Sequence, residues 1–233
     1  MIKSGDVSLA WLNALKFIYT NGTKRGELVK ELIDLVVEIE KPLLIRKTVN
    51  ESFKNHIGEV WIRKGAEPIF PDSVSKGLKW YNSYWSRISK YREKRNQIEY
   101  VINRLLTKPH SKQLVCVTFE PEIDIQPHRP YNPSMPCLVT LDFKVQERKL
   151  NLFALFRSHD FGRKAYGNYI GLGKLMKYIC DRTGLEEGVV ICYSRSAHIR
   201  KKEFTSIKLI LEELERYNPE KDKIINLSVN RLL

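Results

Sequence analysis

Residues 137–158 read CLVTLDFKVQERKLNLFALFRS, and this stretch decides the fold. Two runs rich in apolar residues meet at the polar segment QERK, a pattern that predicts a β-hairpin. A proline-rich segment, IDIQPHRPYNPSMP, precedes the hairpin and places Cys137 at the start of its first strand. A cysteine in such a position is usually a small buried apolar residue. A chemical role for Cys137 therefore depends on the residues around it.

Helices and further strands flank the hairpin. Helical spacing of apolar residues predicts helices over 6–20 and 79–106, and two more in GNYIGLGKLMKYICDRTG and FTSIKLILEELERY. Two segments are predicted to form strands, QLVCVTF and GVVICYSRSAH. The apolar residues of 28–39 fit both the helical and the strand period, and a turn is predicted at NGTKRGE. Because helices and strands do not alternate regularly, we expect an α+β fold.

Composition and charge limit the class of protein. Hydrophobic residues make up 42% and charged residues 29% of the 233 residues, as in ordinary globular proteins. The chain has neither an apolar run of about 18 residues nor a signal-peptide pattern, so we expect no membrane span. Four cysteines without CxxC or His/Cys ligand spacing predict no metal site and no disulfides, which fits the cytoplasm. The net charge of +13 favours an anionic partner.

Polar residues gather where the second hairpin strand ends. Arg157, Ser158, His159 and Asp160 follow that strand, Gly167-Asn168 opens the next helix, and a later strand ends at His198. In order and spacing, Pro136-Cys137 and these segments resemble the thymidylate synthase family, over about residues 100–200. The resemblance implies a large, mixed, twisted sheet with helices packed on one side. It also implies a single domain spanning 1–233, with the chemistry concentrated in 100–200.

The resemblance implies a nucleophile and a phosphate site. The thiolate of Cys137 would add to C6 of dUMP, so that C5 can attack a one-carbon donor. That donor would be 5,10-methylenetetrahydrofolate or a methanopterin analogue. Arg157 would lower the pKa of the thiol and, with Ser158, bind the nucleotide phosphate. From the residues alone, Arg157 can equally form a surface ion pair with Asp160.

The resemblance also implies contacts to the rest of the two substrates. Asn168 would contact O4 and N3 of the pyrimidine, which favours uracil over cytosine. His198 would contact the sugar hydroxyl, and Asp160 would orient the folate-type cofactor or its water network. Each has a structural alternative, because asparagine is a common helix cap and a lone histidine is often structural.

Three further assignments rest on the resemblance. Tyr84 matches a tyrosine near the family's active site and would join the water network that removes the C5 proton; it can equally be a packing aromatic. Lys112 is the one basic residue in the segment Ser111-Lys112-Gln113, where the family carries an arginine pair that reaches across a homodimer to the phosphate. The proton-handling glutamate of the N-terminal half remains open among Glu38, Glu40, Glu51 and Glu59.

Two other functions stay open at this point. One is a pyrimidine nucleotide 5-hydroxymethylase of the same fold, which adds water where the synthase adds hydride. The other is a non-catalytic homologue that binds nucleotides or nucleic acid through its positive charge and the aromatic, basic segment WYNSYWSRISKYREKR.

Overall fold

The computed structural model describes residues 1–26, 28–71, 83–92, 94–125 and 135–228. Residues 126–134 of the proline-rich segment and residues 79–82 of the expected helix lie outside these ranges. The described helices are α1 (Val7–Asn21), α2 (Lys47–His56), α3 (Glu59–Ala66), α4 (Tyr84–Ser89), α5 (Gln97–Thr107), α6 (Pro121–Asp124), α7 (Ala165–Thr183) and α8 (Phe204–Glu213). The described strands are β1 (Ile2–Asp6), β2 (Thr23–Arg25), β3 (Leu28–Lys41), β4 (Leu44–Arg46), β5 (Val115–Val117), β6 (Leu138–Gln146), β7 (Lys149–Phe156), β8 (His159–Asp160), β9 (Glu186–Arg200) and β10 (Ile224–Asn226).

One mixed sheet of eight strands organises the fold. Its order is β1-β3-β9-β7-β6-β5, with β2 beside β3 and β8 beside β9. β9 pairs antiparallel with β3 and parallel with β7, which makes the sheet mixed. A separate two-stranded sheet joins β4 to β10. Among the described helices, none is long and apolar enough to cross a lipid bilayer.

The helices pack on one face of the large sheet. Alternate residues of β7, such as Leu152 and Phe156, are fully buried against that layer, and α7 buries residues along its whole length. Phe153, between them, remains 38% exposed on the opposite face. This two-layer arrangement confirms the predicted α+β fold with a mixed sheet and helices on one side.

Backbone geometry explains the β6–β7 turn and the end of α7, and strand pairing explains β3. Glu147 and Arg148 both have positive φ, which gives the β6–β7 turn the twist that a two-residue hairpin loop needs. α7 ends at Gly184, whose φ of 70° lies in the left-handed region. Residues 28–39 form a strand because β3 has a partner on each side. The segment predicted as a turn contributes β2.

The expected continuous helix over 79–106 is wrong. α4 ends at Ser89, and the chain turns through Arg92, which has a φ of 48°, before α5 begins. The side chain of Asn96 accepts a hydrogen bond from the backbone N–H of Glu99 and so caps the new helix. Apolar spacing continued across the break because each short helix buries its own face against the core.

Candidate active site

Several sequence-predicted residues meet at one end of the sheet. There β6 begins, β7 ends, β9 approaches its end and α7 starts. Leu138 pairs with Phe156, so Cys137 lies beside the segment that follows β7. Asp160 pairs with His198, which brings the end of β9 to the same place.

Cys137 and Tyr84 are in contact at this end. Cys137 is half-buried, whereas Cys116, Cys180 and Cys192 are buried. Burial, and next the proximity of the Cys137 thiol, raise the pKa of the Tyr84 phenol; the backbone N–H groups of Cys137 and Leu138 lower it by hydrogen bonding. The phenol oxygen therefore faces the start of β6, and the hydroxyl keeps its proton at neutral pH.

Arg157 holds the loop that carries Cys137. Its Nε donates to the carbonyl oxygen of Pro136 at 2.8 Å, and its Nη2 donates to that of Met135 at 3.0 Å. The backbone N–H of Arg157 also donates to the carbonyl oxygen of Cys137 at 2.9 Å. A guanidinium has five N–H donors, so three have no partner in the described part of the chain and can serve a ligand. Asp160 pairs with Arg200 instead, so the alternative ion pair between Arg157 and Asp160 does not form.

Asn168 is buried in the first turn of α7 and does not cap it. Its backbone N–H already donates to the carbonyl oxygen of Lys164, within the helix. Its side-chain Nδ2 donates instead to the carbonyl oxygen of Gly65, in α3, at 2.8 Å. The amide is thus held from the protein side by a different helix.

Asp160 and His198 form a charged corner beside Ser158, which is half-buried. The Oδ1 of Asp160 accepts from the backbone N–H of Arg163 at 3.2 Å, and its Oδ2 lies 3.7 Å from Nε of Arg200. Burial lowers the pKa of His198, and the charge of Asp160 partly raises it. The Nε2 of His198 is buried and has no hydrogen-bond partner within the described ranges.

Lys112 lies at the other end of the sheet. Val117 pairs with Thr140, near Cys137, whereas Val115 pairs with Asp142 further along β6. Lys112 precedes Val115 and is exposed. At about 3.3 Å per strand residue, Val115 is already about 17 Å along the sheet from Cys137, and Lys112 comes three residues before Val115. Lys112 and Cys137 of one chain therefore do not meet.

Sequence comparison identifies the family to which the chain belongs. The profile of the family described as Thymidylate synthase matches residues 43–231, about four fifths of the chain. The chain belongs to the thymidylate synthase family. A relative from Methanosarcina mazei is 30% identical over 216 residues, which cover 91% of this chain and 94% of the relative. One from Methanocaldococcus jannaschii is 31% identical over 224 residues, covering 93% and 98%. Both are named "Putative thymidylate synthase".

Family membership sets the general chemistry. Thymidylate synthases are methyltransferases that bind dUMP-like nucleotides, generally use folate-type cofactors and are typically dimers. This agrees with the family resemblance, while the roles of individual residues remain proposals.

The four N-terminal glutamates are poorly placed to carry protons in a buried site. Glu51 and Glu59 are exposed and pair with lysines, and Glu40 is exposed. Glu38 is half-buried and pairs with Lys3. The choice among them stays open.

Two buried titratable residues near the site were missed by sequence reasoning. His159 is 1% exposed and Glu203 is 3% exposed. Burial, and next the charge of Asp160, raise the pKa of Glu203, whose Oε1 lies 2.5 Å from Nη2 of Arg163. The only signal in the sequence was the position of His159 inside the RSHD segment, between two residues already assigned.

The corner around Asp160 suits a folate-type cofactor. Neither oxygen of Glu203 has a hydrogen-bond donor with good geometry in the described part of the chain. Asp160 adds a second carboxylate, and Trp61, stacked under the guanidinium of Arg163 at 4.5 Å, adds an aromatic surface. A pteridine ring carries N–H donors, so the half-buried carboxylate of Asp160 fits its chemistry, whereas both oxygens of Glu203 are enclosed by protein.

Proposed function

We propose that this protein transfers a one-carbon unit to C5 of dUMP through a covalent adduct between Cys137 and C6 of the uracil. The observation that supports this most strongly is the Arg157 clamp. The guanidinium that would bind the substrate phosphate also holds the two carbonyl groups just before Cys137, so it couples the phosphate site to the nucleophile loop.

The proposed reaction begins at the thiolate. Its lone pair forms the S–C6 bond, and the electrons of the C5–C6 double bond move into an enolate over C5, C4 and O4. C5 then bonds to the one-carbon unit and loses its proton to the water network beside Tyr84, and the electron pair of that C–H bond would expel the donor's nitrogen and leave a methylene group on C5. Addition of hydride to the methylene carbon would return an electron pair to C5; the C5–C6 double bond then re-forms as the S–C6 bond breaks, and the electrons of the S–C6 bond regenerate the thiolate.

The remaining side chains position the two substrates. Ser158 and the remaining N–H donors of Arg157 bind the phosphate. His198 contacts the sugar hydroxyl, and Asn168 reads O4 and N3 of the base. Asp160 would hold the cofactor, 5,10-methylenetetrahydrofolate or a methanopterin analogue, which supplies the one-carbon unit and, in thymidylate synthesis, the hydride.

The proposed enzyme is a homodimer that joins two open sheet faces. Val115, Asp142, Phe153 and Ile191 form one row across β5, β6, β7 and β9, because each is paired with the next. Val115 and Phe153 are 39% and 38% exposed. A large apolar sheet face of this kind is buried when a second sheet packs on it. In that arrangement Lys112 would serve the partner's phosphate site.

The test uses 5-fluoro-dUMP, whose C5 fluorine cannot leave as a proton does. Incubation with the nucleotide and methylenetetrahydrofolate, or its methanopterin counterpart, should add both masses to the intact protein. Cys116→Ser, a buried matched control, should also form this adduct, whereas Cys137→Ser should not but should bind dUMP within a few-fold of wild type. An adduct on Cys137→Ser, or none on wild type with either donor, would contradict the proposal. With dUMP itself, the product mass distinguishes methyl from hydroxymethyl transfer.

A further inference from the structure

We infer that Arg87, Asp124 and Thr118 form a buried brace that sets the position of Tyr84 relative to Cys137. This inference rests on the proposed function and names three positioning residues for it. None of the three needs to touch a substrate.

The brace begins with an ion pair between α4 and α6. Nη1 and Nη2 of Arg87 donate to Oδ2 and Oδ1 of Asp124 at 2.7 and 3.0 Å, the two parallel bonds that a guanidinium and a carboxylate form best. The two side chains are 2% and 0% exposed. Oδ2 of Asp124 also accepts from the backbone N–H of Glu120 at 2.7 Å, which holds the carboxylate from a second side.

Thr118 connects this ion pair to the strand that follows the nucleophile. Its carbonyl oxygen accepts from Nη1 of Arg87 at 2.8 Å. Its backbone N–H donates to the carbonyl oxygen of Val139 at 3.0 Å, and its hydroxyl donates to that of Leu138, the residue after Cys137. Thr118 is itself buried. Buried hydrogen bonds therefore run without interruption from Arg87 to the start of β6.

The same guanidinium anchors the helix of Tyr84. α4 begins at Tyr84 and Arg87 follows three residues later, so the two side chains are neighbours on one face of the helix. Arg157 holds the chain on the other side of Cys137, through the two carbonyl groups before it. The nucleophile is thus held on both sides, and Arg87 ties the helix of Tyr84 to one of them.

Stability alone gives little reason for these charges. Burying two ions is costly, and replacing a buried ion pair by apolar side chains of similar size often leaves a protein as stable or makes it more stable. Charge-assisted hydrogen bonds depend on direction as well as distance, so they tolerate less displacement than apolar contacts do. The ion pair therefore suits a place where a helix and a strand must keep a fixed geometry.

The test replaces the ion pair by apolar residues in the full-length protein. The double variant Arg87→Met and Asp124→Leu should keep or exceed the wild-type Tm. Thr118 keeps its own bonds to β6 in this variant, so α4 is released and Cys137 is not. The adduct with 5-fluoro-dUMP needs no proton removal from C5, so it should form within a few-fold of the wild-type rate with the donor that the wild type uses. With dUMP, kcat should fall about tenfold to hundredfold, because the proton must leave toward a displaced Tyr84.

Two further variants act as counterpart and control. Thr118→Val keeps the shape but removes the hydroxyl beside Cys137, so the adduct itself should form about threefold to tenfold more slowly; Thr118→Ser should restore the rate. The double variant Arg182→Met and Glu99→Leu is the matched control. That pair also forms two parallel bonds and joins two helices, but its side chains are 39% and 36% exposed, and its loss should change neither rate.

Each outcome separates the inference from the proposed function. A folded Arg87/Asp124 double variant with wild-type kcat overturns the inference and leaves the proposed function standing. An equal loss of kcat and adduct rate does the same, because general loosening of the site would produce it. A wild type that forms no adduct overturns the proposed function and the inference with it. If the double variant does not fold, Thr118→Val decides, and an unchanged adduct rate there overturns the inference.

Discussion

The crossing of α3 and α7 leaves no space for a side chain at Gly65. A Cβ there would lie 2.6 Å from the carbonyl oxygen of Lys164, 2.8 Å from Cα of Gly167 and 3.0 Å from the backbone nitrogen of Asn168. All three are backbone atoms, which cannot rotate away. We expect Gly65→Ala to push the helices apart by about 0.8 Å, the shortfall from an ordinary contact of 3.4 Å.

The expected cost follows from two opposing effects. Overpacking a core contact costs about 1–3 kcal/mol, and replacing glycine by alanine in a helix returns up to about 1 kcal/mol. The net destabilisation of up to about 2 kcal/mol corresponds to a Tm lower by up to about 8 °C for a chain of this length. The same displacement would draw the Gly65 carbonyl away from Asn168, so dUMP affinity should fall as well.

Thermal unfolding followed by circular dichroism measures this effect against two glycine controls. Gly167→Ala should be more harmful, since its Cβ would lie 2.2 Å from the carbonyl oxygen of Ile62. Gly5→Ala should not lower Tm, because nothing lies within 4 Å of its Cβ position. The reasoning fails if Gly65→Ala is as stable as Gly5→Ala, or if Gly167→Ala is the milder of the two helix variants.

Four further predictions concern the site and the dimer. In the native protein, iodoacetamide should modify Cys137 alone, because burial raises the pKa of Cys116 and of Cys180 to about 12; peptide mass mapping that finds Cys116 modified equally fast would contradict this. Burial lowers the pKa of His159 from 6.5 to about 3. Below pH 6.5 the imidazole therefore binds a proton in the unfolded chain but not in the folded chain. Stability should therefore be full above pH 6.5 and fall by up to about 1.4 kcal/mol per pH unit below it; urea unfolding at about pH 7.5 and about pH 5 should show a larger loss for wild type than for His159→Phe, and equal losses would rule out this origin. Lys112→Ala should raise the KM for dUMP with little change in Tm, while sedimentation should show a dimer; a stable, active monomer at micromolar concentration would refute the shared site. Asn168→Asp should shift the preference toward dCMP by about 1–3 kcal/mol, measured from kcat/KM for both nucleotides, and an unchanged ratio would argue against Asn168 as the residue that reads the base.

Local patterns predicted the elements around the site but not the contacts that orient its residues. The hairpin and α7 could be predicted because a polar turn and a terminal glycine are local signals. The break between α4 and α5 could not, because the apolar period continues through it and the left-handed backbone at Arg92 has no signal in the sequence. The burial of His159 depends on β8 pairing with β9, about 38 residues further on. The hydrogen bond from Asn168 to Gly65 joins residues 103 positions apart, and no local sequence pattern predicts it.

The pairing of β3 with β9 has a consequence for how the chain reaches this fold. β3 ends at Lys41, and its antiparallel partner begins at Glu186. During synthesis β3 therefore exposes one hydrogen-bonding edge until most of the chain has been made. Closing so long a loop is entropically costly and slows folding. We expect refolding to be slow and to pass through a state in which β3 and the apolar strands of the hairpin can pair with other molecules, so that the yield falls as protein concentration rises.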